Sequence, residues 1–222
     1  MNIPAKSSLF TSPLAPLLER LFAEADQSRS VVEETFQTLT KEERAAIMAD
    51  HRTLYGMARE HYLAVSKETA GLLYLLARAT TALSIVEFGT SFGISTLYLA
   101  AALHDNGGGV LIGSEFEPSK AAKARENIKA AGFADLVEIR EGDALETLSR
   151  DLPQRIDLVL LDGAKSLYPQ ILALLEPHFV SGSLIVADNA DDSPEYLKKV
   201  RDPANGYLSL PFAEDVELSM KL

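Results

Sequence analysis

Two aspartates stand directly after apolar runs of strand character, and each has a polar neighbour that a metal site could use. Ile156–Leu161 ends in Asp162-Gly163-Ala164-Lys165, and the run 183–187 ends in Asp188-Asn189. Asp162, Asp188 and Asn189 would present three oxygen donors from two nearby strand ends. Such a set suits a hard cation such as Mg²⁺, which keeps its other positions for water or substrate oxygens. An aspartate past a strand is also a common cap or turn residue, so neither one alone decides the matter. Glu115, in Ser114-Glu115-Phe116-Glu117-Pro118, follows the run 110–114 and lies about twenty residues beyond a glycine turn, where nucleotide-binding folds hold a ribose diol. Glu117 competes with it, but Pro118 suits the first position of a helix and leaves Glu117 at that helix's N-terminus. Phe116 could pack on an adenine face or fill core. Asp143, in Glu141-Gly142-Asp143-Ala144, could accept from an adenine amino group or cap the next helix.

These residues need a scaffold, and the stretch Ser84–Ser95 supplies its centre. Ile85, Val86 and Phe88 form a short strand-like run, Gly89 and Gly93 break it, and Ser95 begins a run of helical spacing through Leu97, Leu99, Ala100 and Leu103. A strand, a glycine turn and a helix place free N–H groups at the carboxyl edge of a sheet. A dinucleotide fingerprint would need glycines at 89, 91 and 94, and Ser91 and Ile94 occupy the last two. Glu87-x-Gly89-x-x-x-Gly93 instead resembles the first motif of class I S-adenosylmethionine-dependent methyltransferases, whose glycines let the backbone approach the cofactor's methionine part. A purely structural turn remains open, because any βαβ crossover needs a tight bend.

Around this centre β and α alternate. Strands fit at 84–88, 110–114, 136–140, 156–161 and 183–187, with helices near 94–104, 118–131, 143–150, 167–176 and 193–200. A helix capped by Ser66 precedes the first strand, Asn205-Gly206 marks a tight turn, and Val216–Met220 reads as a last, antiparallel strand. The order predicts an open, doubly wound α/β sheet with helices on both faces, and the resemblance to class I methyltransferases implies their Rossmann-like fold with a mostly parallel seven-stranded sheet. Residues 1–60 read as an arm and helices, the latter with a capping box at Thr40-x-x-Glu43, that form a lid or dimer contact. Residues 61–222 read as the cofactor-binding domain.

Composition narrows the function classes. At 222 residues, 47% hydrophobic and 24% charged, the chain suits one soluble domain with an appended segment. No run approaches a membrane span and the first ten residues do not read as a leader, so the expectation is cytoplasmic. The absence of cysteine excludes thiolate catalysis and cysteine-ligated metals. A net charge of −11 works against nucleic-acid binding. Lys120, Lys123, Arg125 and Lys129 read as one solvated helix face.

Taken together, V-E-F-G-T-S-F-G-I-S-T, E-F-E-P, E-G-D-A-L, L-D-G-A-K and V-A-D-N, in this order, resemble the cation-dependent O-methyltransferases typified by catechol and caffeoyl-coenzyme A O-methyltransferase. The resemblance covers roughly residues 62–190. It implies that Gly89, Thr90, Ser91 and Ser95 contact the methionine end of S-adenosylmethionine, with Val65 close by and with Glu87 and Gly93 part of the same motif. It implies that Glu115 holds the ribose, with Phe116, Asp143 and Ala144 around the adenine. Asp162, Asp188 and Asn189 would ligate Mg²⁺, Asp162 would also face the cofactor's ammonium, and Lys165 would be the general base. The implied acceptor is a small hydroxylated molecule with vicinal oxygens, and the implied assembly a homodimer. Two other readings stay open: the same fold acting on a hydroxylated tRNA nucleoside, and a non-catalytic cofactor-binding protein. The chain departs from the family where Glu214-Asp215-Val216 replaces a Gly-Asp-Gly and where the segment after Asn189 is short. With no Trp, an aromatic wall must come from Phe92, Tyr62, Tyr168 or Phe212. His51 and His61 fall in the N-terminal helices and read as packing or surface residues.

Overall fold

The computed structural model describes residues 7–38, 40, 64–213 and 215–222. Glu43, His51, His61, Tyr62 and Glu214 lie outside the described residues, as does most of the second half of the expected N-terminal helical segment.

The first described helix, α1 (Leu14–Thr38), is followed after the gap by α2 (Lys67–Ala79). Ser66 caps α2 as expected, its Oγ accepting the Thr69 N–H at 3.0 Å. The alternating unit then runs β1 (Ser84–Phe88), α3 (Ile94–Asp105), β2 (Val110–Glu115), α4 (Pro118–Ala130), β3 (Val137–Glu141), α5 (Ala144–Thr147), β4 (Ile156–Leu161), α6 (Tyr168–Leu175), β5 (Phe179–Ala187) and α7 (Pro194–Arg201). An antiparallel hairpin, β6 (Tyr207–Phe212) and β7 (Val216–Lys221), completes a seven-stranded sheet of order β3-β2-β1-β4-β5-β7-β6. The first five strands are parallel and β7 runs antiparallel to β5. This is the expected doubly wound arrangement.

Burial on both faces explains why the central strands read as continuous apolar runs rather than alternating ones. Ile85, Leu111, Leu158 and Leu160 pack beneath Leu73 and Ala77 of α2 and Leu99 and Leu103 of α3. Val86, Phe88, Val159, Leu161 and Ile185 face α6 and α7 through Ile171, Leu172 and Val200. Leu14, Leu17, Leu18 and Leu21 of α1 close over α3 and α4 in a third cluster with Leu97, Ala121 and Ala124.

Three details differ from the sequence reading. The helix expected at 143–150 spans only 144–147, and beyond it the carbonyls of Thr147, Arg150 and Asp151 accept from the Arg140 guanidinium. Residues 207–212, to which no strand was assigned, form the sheet edge. Lys120 is not on the solvated face: it is 2% exposed, with its ammonium 5.4 Å above the Phe92 ring. Burial lowers its pKa, opposed by the charges of Glu115, Glu117 and Asp162. Its neighbours Lys123 and Arg125 do lie at the surface, paired with Glu126 and Glu141.

Candidate functional site

The carboxyl ends of β1, β2, β4 and β5 meet where the strand order reverses on either side of β1, which is where open α/β sheets bind ligands. The turn after β1 is built for close approach. Gly89 has φ +98° and Gly93 φ +88°, and a side chain at Gly89 would overlap the carbonyl of Asp162 across the strand gap. Ser91 also takes a positive φ of +49°. Its N–H donates to Glu115 Oε2 at 2.7 Å, while its hydroxyl is buried without a partner.

Glu87 is fully buried beneath the turn. Its two oxygens accept from Thr90 Oγ1 (2.9 Å), Ser95 Oγ (2.7 Å) and Thr96 Oγ1 (2.5 Å), so it holds the turn and the first helical residues from below. Burial raises its pKa and the three hydroxyls oppose that shift. Thr90 and Ser95 spend their side chains on this bond and offer the turn's backbone to a ligand. The third donor, Thr96, closes the first motif but is not among the site residues expected from it.

Two hollows open at the strand ends, both bordered by Gly89. The larger, about 590 Å³, is lined by Phe88, Ser114, Glu115, Phe116, Asp143 and Ala144 among others. Glu115 Oε1 also accepts the Glu117 N–H at 2.8 Å, so two backbone donors fix its carboxylate and leave lone pairs free for hydroxyl donors. Glu117 stands at the start of α4 outside the hollow. Phe116 is 55% exposed and presents an open aromatic face there. Asp143 does both things proposed for it from type alone: it borders the hollow and caps α5 through the Leu145 N–H at 2.8 Å. The smaller hollow, about 230 Å³, is lined by Ala64, Thr90, Ser91, Phe92, Ser95 and Asp162. Val65 is buried next to Ala64 and borders neither hollow.

Asp162 and Asp188 come together at the ends of β4 and β5. Lys165 Nζ donates to Asp162 Oδ1 at 3.0 Å and lies 5.4 Å above the Tyr168 ring. Burial and the charge of Asp162 push Asp188 up to about 7, and burial also raises Asp162, with Lys165 pulling it back. Tyr168, a candidate for an exposed aromatic wall, is 0% exposed. Its hydroxyl donates to the carbonyls of both Leu161 and Asp188 at 2.8 Å, tying the two strand ends together. Asn189 adopts φ +47°, and its Nδ2 donates to Asp215 Oδ2 at 3.0 Å. Among the described residues, no group of three or more His, Cys, Asp or Glu is arranged to hold a metal ion. The oxygen set here is two carboxylates and one amide.

Residues 86–190 match a methyltransferase domain family. Over that segment the chain is similar to methyltransferase domains. Over 134 residues this chain is 37% identical to the catechol O-methyltransferase of Niastella koreensis, covering 57% of this chain and 58% of that protein. The catechol O-methyltransferase of Mycobacterium tuberculosis is 36% identical over 127 residues, 57% of each chain. The chain thus spans under two thirds of the length of these curated relatives. Among solved structures, the O-methyltransferase TomG from Streptomyces achromogenes, in complex with S-adenosylmethionine, superposes with a TM-score of 0.64 at 26% identity, covering 89% of this chain and 98% of that one. The resemblance drawn from the five motifs is borne out, and all five lie within the matched segment.

Proposed function

We propose that this methyltransferase domain transfers a methyl group from S-adenosylmethionine to a hydroxyl of a small acceptor with vicinal oxygens, catechol-like in chemistry, with the help of a divalent cation. The observation that carries the reading is the meeting of the Asp162–Lys165 pair with Asp188, which Asn189 follows, where Asp162 borders the smaller of two hollows that share Gly89 and the larger is lined by Glu115, Phe116 and Asp143. The relatives named catechol O-methyltransferase support the reaction class.

In this reading the ribose hydroxyls donate to the immobilised Glu115 carboxylate and Phe116 covers the adenine, with Asp143 and Ala144 at its rim. The methionine part lies along the backbone of Gly89, Thr90 and Ser91, near Val65 and Ser95. Asp162 faces its ammonium. Two buried carboxylates that repel each other, with an amide oxygen donor beside them, are a donor set fitted to a hard cation. Mg²⁺ held by Asp162, Asp188 and Asn189 would supply positive charge that favours ionisation of an acceptor hydroxyl. Lys165, within hydrogen-bond reach of Asp162, is placed to take the hydroxyl proton as the neutral amine, becoming the ammonium that pairs with Asp162. Glu87 keeps the glycine turn rigid, so the donor and acceptor are aligned for in-line displacement. Alignment of this kind contributes up to roughly 7–11 kcal/mol.

The test is calorimetric titration with S-adenosylhomocysteine, followed by transfer of labelled methyl to a panel of catechols, hydroxycinnamates and tRNA. Cofactor binding with transfer to a vicinal-oxygen acceptor is the expected result. Transfer to tRNA alone, or binding without any transfer, would replace this reading with one of its two rivals.

A further inference from the structure

The residue that faces Asn189 is delivered by the one part of the sheet that runs antiparallel. Ala187 of β5 pairs with Glu217 of β7. Continuing that register two residues past the strand ends sets Asn189 opposite Asp215. Residue 215 grips the chain there twice: its carbonyl accepts the Ala190 N–H at 2.8 Å, and its carboxylate accepts Asn189 Nδ2 at 3.0 Å. Asn189 itself is held in the left-handed region, φ +47° and ψ +45°. An asparagine side chain has one donating and one accepting end, and a carboxylate can only accept. Asp215 therefore admits only the amino end of the amide and leaves the carbonyl oxygen Oδ1 for another partner. The charge of Asp215 also reaches Asp188 and adds to its raised pKa, so the three groups share one neighbourhood.

We propose that Asp215 is a positioning residue for the cation: by taking Asn189 Nδ2 it commits Oδ1 to the metal. This rests on the cation reading given above. It adds the partner that decides how Asn189 presents itself, in the way that carboxylates behind metal ligands orient them elsewhere. Without Asp215 the amide can turn over and direct its NH₂ toward a cation, which removes one of three protein donors.

The experiment is calorimetric titration of Mg²⁺ into the full chain and into Asp215→Ala and Asp215→Asn. S-adenosylhomocysteine titrated without cation serves as a control for folding. Asp215 is exposed, so neither substitution opens the core. Asp215→Ala is expected to weaken Mg²⁺ roughly 10- to 100-fold while leaving S-adenosylhomocysteine affinity unchanged. The amide of Asp215→Asn can still accept from Asn189 Nδ2 but no longer excludes the turned-over amide, so that variant should lose affinity by about threefold, less than Asp215→Ala. Mg²⁺ affinity unchanged in Asp215→Ala would overturn the proposal. So would an equal loss in both variants, which would make the effect one of charge alone, or a matching loss of S-adenosylhomocysteine affinity, which would make it structural. A parent chain that binds S-adenosylhomocysteine but no Mg²⁺ would instead remove the cation reading beneath it.

Discussion

Glu115 and Glu117 have the same side chain two positions apart, and the fold separates their duties through the backbone. Glu115 accepts the N–H groups of Ser91 and Glu117 and borders the cleft, whereas Glu117 sits at the start of α4. Glu115→Ala should therefore weaken S-adenosylhomocysteine binding at least tenfold in a calorimetric titration, and Glu117→Ala should change it less than about twofold. A larger loss at Glu117 would move the ribose contact to that residue. Asp188 sets a pH dependence on the cation-free protein. Its pKa is about 7 in the fold against about 3.9 in an unfolded chain, so between those values the folded state holds the extra proton. Stability in excess chelator should fall as pH rises from 4 to 7 and level off above 7. Asp188→Asn should flatten that slope, which urea midpoints across the pH series would show. Residue type and spacing announced both carboxylates. The partners that place them were not legible, because Ser91 holds Glu115 across 24 residues, Tyr168 holds the Asp188 carbonyl across 20, and Asp215 holds the neighbouring Asn189 across 26.

At the level of elements, the strand, glycine turn and helix that the sequence placed at 84–104 are where the structure has them, because β-branched and aromatic residues, two glycines and a helical apolar period all point the same way there. What the period cannot show is why the turn is rigid. Glu87 lies beneath it with three hydroxyls, a buried polar knot inside an apolar layer. Glu87→Ala would leave Thr90, Ser95 and Thr96 without their acceptor and should cost roughly 3 kcal/mol in denaturant unfolding, whereas Glu87→Gln, which still accepts, should cost about 1 kcal/mol. Equal and small effects would show that the turn is held by its glycines alone. The shortened α5 is also accompanied by a contact from outside the run: the Arg140 guanidinium, on the preceding strand, donates to the carbonyls of Thr147, Arg150 and Asp151, and nothing in the local run 143–150 signals that. Lys120 illustrates the opposite error. Its spacing with Lys123 and Arg125 describes a surface face, yet the first turn of α4 packs against Phe92 and buries it.

The whole molecule gathers the site by topology. Four parallel strands, β1, β2, β4 and β5, bring Gly89, Glu115, Asp162 and Asp188 to one edge, and the antiparallel β7 returns to that edge with Asp215 beside Asn189. The parallel part was readable because buried strands leave uninterrupted apolar runs. The edge strand β6 was not: Leu208, Leu210 and Phe212 alternate along it but remain exposed, and Pro211 interrupts the pattern. No described helix is long and apolar enough to cross a membrane. The central claim is that the paired carboxylates hold a cation that the transfer step requires. Its most direct test is the initial rate of labelled-methyl transfer from S-adenosylmethionine to catechol after chelation, as Mg²⁺ is restored. The rate should rise from near background and saturate, and Asp188→Ala should remove that rise while S-adenosylhomocysteine still binds. Transfer that proceeds at full rate in excess chelator would contradict the account.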